Sequence, residues 1–192
     1  MSKTAVVLIA DGTEEIEAIT PGDVLNRCGV DVTYAGVSSP GESNRIDFTG
    51  GHHVPLRADC PIEELGEILF DALIIPGGGK GAENLSHSPL VAQLIMRHHE
   101  AGKLIAAICA APAVVLVPLG LLNGKHATCY PGLERRFPAD ATACETRVCV
   151  DGKLITSKGP GTAVEFSLKL AELLMGAQVA IKCGHAMCVQ NM

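Results

Sequence analysis

Short apolar runs alternate with helix-length segments along nearly the whole chain, and few folds accept that pattern. The runs fall at residues 5–10, 30–35, 72–75, 104–108, 147–150 and 154–156. Between several of them lie segments at 14–27, 89–100, 111–122 and 162–175 that are long enough for helices. Uninterrupted apolar runs are what strands buried on both faces require, so the alternation predicts an α/β fold, a mostly parallel sheet with helices on both faces. No repeat, low-complexity tract or linker divides the 192 residues, and one domain spanning 1–192 is expected. In open sheets of this kind ligands bind beyond the carboxyl ends of the strands. That rule gathers the loops at 11–17, 76–82, 109–112 and 157–162 at one edge. A formal charge of −6 and an aromatic content of 3% without tryptophan argue against a nucleic-acid surface.

The loop at 109–112 carries the sharpest chemical signal. KLIAAICAAP reads as a buried strand that ends at Cys109, with Ala110, Ala111 and Pro112 suited to the first turn of a helix. Cys109 would then sit at an elbow. There the positive end of the helix dipole and nearby N–H groups favour thiolate over thiol, so Cys109 is expected to be the most acidic of the eight cysteines and the first to be oxidised. A cysteine that only packs as a small hydrophobe would also fit the position.

Residues 104–122 carry no charge over nineteen positions, long enough for a membrane span. Pro112, Pro118, Gly120 and the strand-like entry favour strand, elbow and helix instead. The start, MSKTAVVLIADG, lacks the features of a secretory signal, so a cytoplasmic protein with mostly free thiols is expected. Cys144 and Cys149 are placed on one strand, on opposite faces, by their odd spacing. The tail residues Cys183, His185 and Cys188 have the right ligand types for zinc, but at a chain end.

Other motifs compete and fail. Gly77, Gly79 and Ala82 match a dinucleotide-binding spacing, yet Pro76 interrupts the strand-to-glycine junction and the match sits on a later strand. Gly81 stands where a P-loop needs Ser or Thr. The simpler use of Gly77 and Gly78 is a tight turn whose bare N–H groups approach a small oxyanion. No G-x-S-x-G elbow occurs. Among the seven histidines none is plainly placed as a base for Cys109; His98 and His99 end a charged helix and read as solvated, as do His52 and His53.

An acid is the better partner. Glu14, Glu15 and Glu17 fall in the first turn of the first helix, where carboxylates favour the dipole whatever their function. Glu17 differs, because Ile16, Ala18 and Ile19 around it suggest a face turned to the sheet. Burial would raise its pKa and let it hold a proton near neutrality.

Taken together, ADGTEEIEAITPGDVLNRCGV, DALIIPGGGKGAENL, LIAAICAAPAVV and ITSKGPGTAVEF resemble the DJ-1-like branch of the ThiJ/PfpI superfamily, in order over residues 5–175. The resemblance implies a flavodoxin-like doubly wound sandwich, a homodimer, an easily oxidised elbow cysteine and a glutamate hydrogen-bonded to it. Carried over by position, these are Cys109 and Glu17, with oxyanion-type N–H groups at Gly78 and Ala110 beside Gly77, and a basic residue near the pocket at Arg27. Tyr130, before Pro131, stands where many animal members have histidine. The protease-like branch has histidine directly after the cysteine, and Ala110 at that position argues against peptidase activity.

The activities implied are cofactor-free and metal-free conversion of methylglyoxal or glyoxal to hydroxy acids, and repair of early glycation adducts on amines and thiols. In both, the Cys109 thiolate attacks carbon while Glu17 moves a proton. The alternative is a non-enzymatic redox sensor or chaperone in which Cys109 becomes a sulfinate.

Overall fold

The computed structural model describes residues 2–39 and 41–189. In chain order the elements are β1 (Thr4–Ile9), α1 (Glu15–Arg27), β2 (Asp31–Gly36), β3 (Asp47–Thr49), β4 (Pro55–Arg57), β5 (Cys60–Pro61), β6 (Ala72–Ile75), α2 (Gly79–Ser86), α3 (Pro89–Glu100), β7 (Leu104–Ile108), β8 (His126–Ala127), β9 (Thr142–Ala143), β10 (Val148–Asp151), β11 (Leu154–Ser157), α4 (Ala163–Met175) and α5 (Ala177–Ala186). The main sheet runs β10-β11-β7-β6-β1-β2-β5 and is parallel except for β10. This is the expected flavodoxin-like α/β architecture.

Every residue of β6 and β7 is buried, which is possible only when both faces of the sheet are covered. Helices α1, α4 and α5 pack as one group, and α2 and α3 as another. Phe166 on α4 is the largest fully buried side chain and contributes about 2 to 3 kcal/mol through its burial. The chain leaves β1 toward β2 on one side and later returns to β6 on the other. The carboxyl ends of β1 and β6 therefore flank a topological switch point, the usual place for a ligand crevice.

Four expectations change. The charge-free stretch at 104–122 forms β7 and the elbow, but the anticipated helix is one π-helical turn, Pro112–Leu116, in which the Val117 N–H donates to the Pro112 carbonyl at 3.2 Å. Pro118 has no N–H to extend it, and Gly120 turns the chain at φ 71°. Among the described residues no helix is long and apolar enough to cross a membrane. His98 is fully buried and not solvated: its Nε2 accepts the Phe70 N–H at 3.0 Å and its Nδ1 faces the Leu94 carbonyl at 2.8 Å. Cys144 and Cys149 lie on either side of a turn between β9 and β10, and their sulfurs are 2.9 Å apart. Cys183 is buried in α5 against the Val24 carbonyl and Met187, so the tail does not gather Cys183, His185 and Cys188 into a ligand set among the described residues.

Candidate active site

Three loops converge at the switch point. The turn after β1 is closed by Thr13, whose buried Oγ1 accepts the Ala10 N–H at 2.9 Å, and by Glu14, which caps α1 by accepting the Glu17 N–H at 2.8 Å. That cap fixes the first turn of α1 and turns Glu17 inward, where it is 0% exposed. The loop after β6 is sewn to this turn, with the Gly81 N–H donating to the Gly12 carbonyl and the Glu14 N–H to the Gly77 carbonyl. Those bonds spend the glycine loop on packing. No dinucleotide cradle forms.

Cys109 follows β7 with φ 63°, a left-handed conformation that is costly for a residue with a Cβ. Two backbone bonds hold it there. Its N–H donates to the Ser157 carbonyl at the end of β11 at 2.9 Å, and its carbonyl accepts the Tyr130 N–H at 2.8 Å. The strained geometry aims the side chain into the crevice, as in a nucleophile elbow.

The glycines decide how close the acid comes. The Gly77 N–H donates to Glu17 Oε2 at 2.8 Å, so it anchors the carboxylate and is not available to an oxyanion. A Cβ on Gly77 would lie 2.6 Å from the Cys109 Cβ and 2.7 Å from Glu17 Oε2. Only glycine lets the three meet. Gly77→Ala is therefore expected to push the pair apart and lower turnover by roughly ten- to a hundredfold, the penalty for misplacing reacting groups by about 1 Å. Normal far-ultraviolet circular dichroism with normal turnover would refute that role.

Burial drives Glu17 from an ordinary 4.5 up to about 7, against the Gly77 and Cys109 hydrogen bonds that lower it; the Glu14 charge adds to the rise. Its Oε1 is buried without a hydrogen-bond partner. Cys109 differs from its sequence expectation. Burial and the charge of Glu17 push the thiol up to about 12, although the Gly78 and Ala110 N–H groups pull the other way. A single π-helical turn supplies too little dipole to reverse this. Near neutrality Cys109 therefore stays a thiol, beside a carboxyl whose raised value lets it take or give a proton.

The remaining candidates separate. Gly78 and Ala110, expected as oxyanion-type donors, present their N–H groups to the sulfur. Tyr130 is half exposed, and its ring stands 3.6 Å from the point a Cβ on Gly159 would occupy, a point 3.9 Å from Glu17 Oε1. That places the ring at the mouth of the crevice. Arg27 is not brought to the site: it closes α1 about 15 Å along the axis from Glu17, where it pairs with Asp23 at 2.8 Å on the surface. Ser157, Thr162 and Gly159, all from the S-x-GPGT stretch, form a buried hydrogen-bonded corner that holds the Cys109 amide, a role that no spacing in the sequence signals. Glu15 does more than favour the helix dipole: it accepts the His52 and Val54 N–H groups and faces His52 Nδ1 at 3.0 Å, tying the β3–β4 turn to α1. The ligand atoms of Glu14, Glu15 and His52 lie within 4.8 Å of one another, the candidate cation ligands among the described residues. Hollows elsewhere, including one of about 570 Å³ between α4 and α5, do not bring together a strained nucleophile and an acid raised by burial.

The profile of the DJ-1/PfpI family matches residues 3–173. Protein DJ-1 homolog B of Arabidopsis thaliana is 40% identical over 181 residues, covering 94% of this chain and 40% of that protein. The chain spans less than half the length of the two Arabidopsis relatives it matches. The glutathione-independent glyoxalase DJR-1.2 of Caenorhabditis elegans is 37% identical over 178 residues, 92% of this chain and 91% of that one. Among solved structures, oxidized Toxoplasma gondii DJ-1 superposes with a TM-score of 0.93 at 38% identity, over 99% of this chain and 100% of that one.

Proposed function

For a chain that belongs to the DJ-1/PfpI family, with this geometry at its switch point, we propose glutathione-independent glyoxalase chemistry, the conversion of a 2-oxoaldehyde to a 2-hydroxy acid. The observation that carries it is the buried Glu17 carboxyl, poised at about 7, beside the sulfur of a strained Cys109. A thiol at about 12 is a weak nucleophile alone, so the Glu17 carboxylate takes the Sγ–H proton as sulfur attacks the aldehyde carbon. The new oxyanion forms near the Gly78 and Ala110 N–H groups, and Glu17 returns the proton to it. Glu17 then removes the hydrogen from the former aldehyde carbon and delivers it to the neighbouring carbon through an enediol. The product is a thioester, and water cleaves it to the hydroxy acid and the free thiol. One water is consumed and no electron leaves the system.

The relative named a glutathione-independent glyoxalase supports this reading. Attack by the same sulfur on an early adduct of the aldehyde with an amine or thiol extends it to deglycation, the departing group being the amine or thiol. A homodimer is part of the proposal too; exposed Ile16 and Ile19 on α1, beside Val54 on the turn that Glu15 holds, offer apolar surface for it. The test is lactate formation from methylglyoxal by metal-free protein without glutathione. Lactate production that required added glutathione or metal would overturn the proposal.

Tyr130 bears on the substrate end. Its hydroxyl can donate a hydrogen bond to a substrate oxygen at the mouth of the crevice, so Tyr130→Phe is expected to cost about 1 to 2 kcal/mol of kcat/KM. An unchanged kcat/KM would remove Tyr130 from the site. A second reading has its own support: the Toxoplasma relative was solved oxidized, and a sulfinate on Cys109 would face the same N–H groups and the same carboxyl.

A further inference from the structure

We propose that Cys144 and Cys149 form a second, reversible redox site, a dithiol that hydrogen peroxide closes to an intrachain disulfide independently of Cys109. Their sulfurs already lie 2.9 Å apart, and a disulfide bond is about 2.05 Å, so closure asks for less than an ångström of approach. Each cysteine is held from behind. The Cys144 N–H donates to the Ala127 carbonyl at 2.8 Å, and Cys149 pairs in register with Thr156, whose Oγ1 accepts the Thr128 N–H at 2.9 Å. The two thiols are therefore presented to one another by the turn that leaves β9 and by β10, and the ring they would close is too short for chain-entropy stabilisation to be its purpose.

The two thiols differ in access. Cys144 lines a surface hollow of about 260 Å³ with Cys129 and Glu145, large enough to admit peroxide, whereas Cys149 is 8% exposed. Peroxide first converts Cys144 to the sulfenic acid and releases one water. The Cys149 sulfur then attacks that sulfur; the S–O bond breaks, and the hydroxyl leaves with the Cys149 proton as a second water. Two thiols and one peroxide thus give one disulfide and two waters, and a dithiol reductant restores the pair. Cys28 and Cys183 also interact but are 5% and 7% exposed, in the interior between α1 and α5. They serve as the internal control.

The sequence makes the test direct. Trypsin cuts after Arg136, Arg147 and Lys153, so Cys144 and Cys149 fall in separate peptides, 137–147 and 148–153. The reduced full-length protein is titrated with hydrogen peroxide, quenched with catalase, alkylated under denaturing conditions and digested. The expected product is the two peptides joined, two hydrogens lighter than their sum, roughly tenfold or more above any other linkage because the pair is pre-aligned. It should disappear with dithiothreitol and form equally in Cys109→Ser. In Cys144→Ser, Cys149 should be recovered alkylated. Both cysteines alkylated after a dose that oxidises Cys109, a link from either to Cys129, or formation only when Cys109 is present would each overturn the proposal.

Discussion

Replacing Cys109 with serine is expected to remove lactate formation altogether, at least about 10⁴-fold, while leaving the fold intact. Serine keeps the elbow's backbone bonds and loses little volume at a position 8% exposed, so secondary structure and oligomeric state should match the wild type. The hydroxyl holds its proton far more firmly than the thiol, and Glu17 at about 7 is too weak a base to activate it. Lactate formation by purified Cys109→Ser at more than a hundredth of the wild-type rate would place the chemistry elsewhere.

For Glu17→Gln the expected loss is about 10²- to 10⁴-fold, the usual worth of a positioned acid–base group. Its pH dependence separates catalysis from structure. In the wild type kcat/KM should rise through about pH 7 as the carboxylate forms, and the variant should lack that inflection. Stability moves in the opposite sense. Because the folded-state pKa of Glu17 is raised from 4.5 to about 7, the folded state binds the proton more tightly than the unfolded chain. That contribution is complete below about 4.5 and is lost as pH rises through 7, amounting to roughly 3 kcal/mol for this fully buried group. Urea unfolding at pH 5 and pH 9 should therefore show a steeper loss of stability for the wild type than for Glu17→Gln. An inactive variant with the wild-type stability profile would mean that the carboxyl is not carrying the buried charge.

The sheet was legible because its central strands are unbroken apolar runs, and β6 and β7 begin and end where those runs do. The β3–β4 hairpin was not, since strands of three residues with charged ends leave no periodicity to read. Glu17 illustrates a correct conclusion with a partly wrong reason. Ala18 is buried beside it, but Ile16 and Ile19 point outward at 52% and 46% exposure, so apolar neighbours alone did not mark the inward face. What turns Glu17 in is the local Glu14 cap together with the Gly77 N–H, and the second of these is made across the fold. The acidity of Cys109 is hidden from the sequence for a similar reason. Position in the chain predicts the elbow, whereas burial and the charge of Glu17 depend on tertiary structure, and they outweigh two N–H groups. Linear order sets Arg27 beside the site residues, whereas about three helical turns separate it from the crevice.

The backbone lock on Cys109 has a consequence for how the protein fails. Its left-handed φ persists only while the Ser157 carbonyl and the Tyr130 amide hold the peptide from opposite sides, and Ser157 itself belongs to β11, paired along its length with β7. No local fraying can release the elbow without separating those central strands. The Cys109 amide should then exchange its hydrogen with deuterated solvent as slowly as the most protected amides of β7, in spite of its place at the edge of a crevice. Heat or urea should accordingly abolish activity in the same transition that melts the sheet, leaving no folded population in which the nucleophile has relaxed.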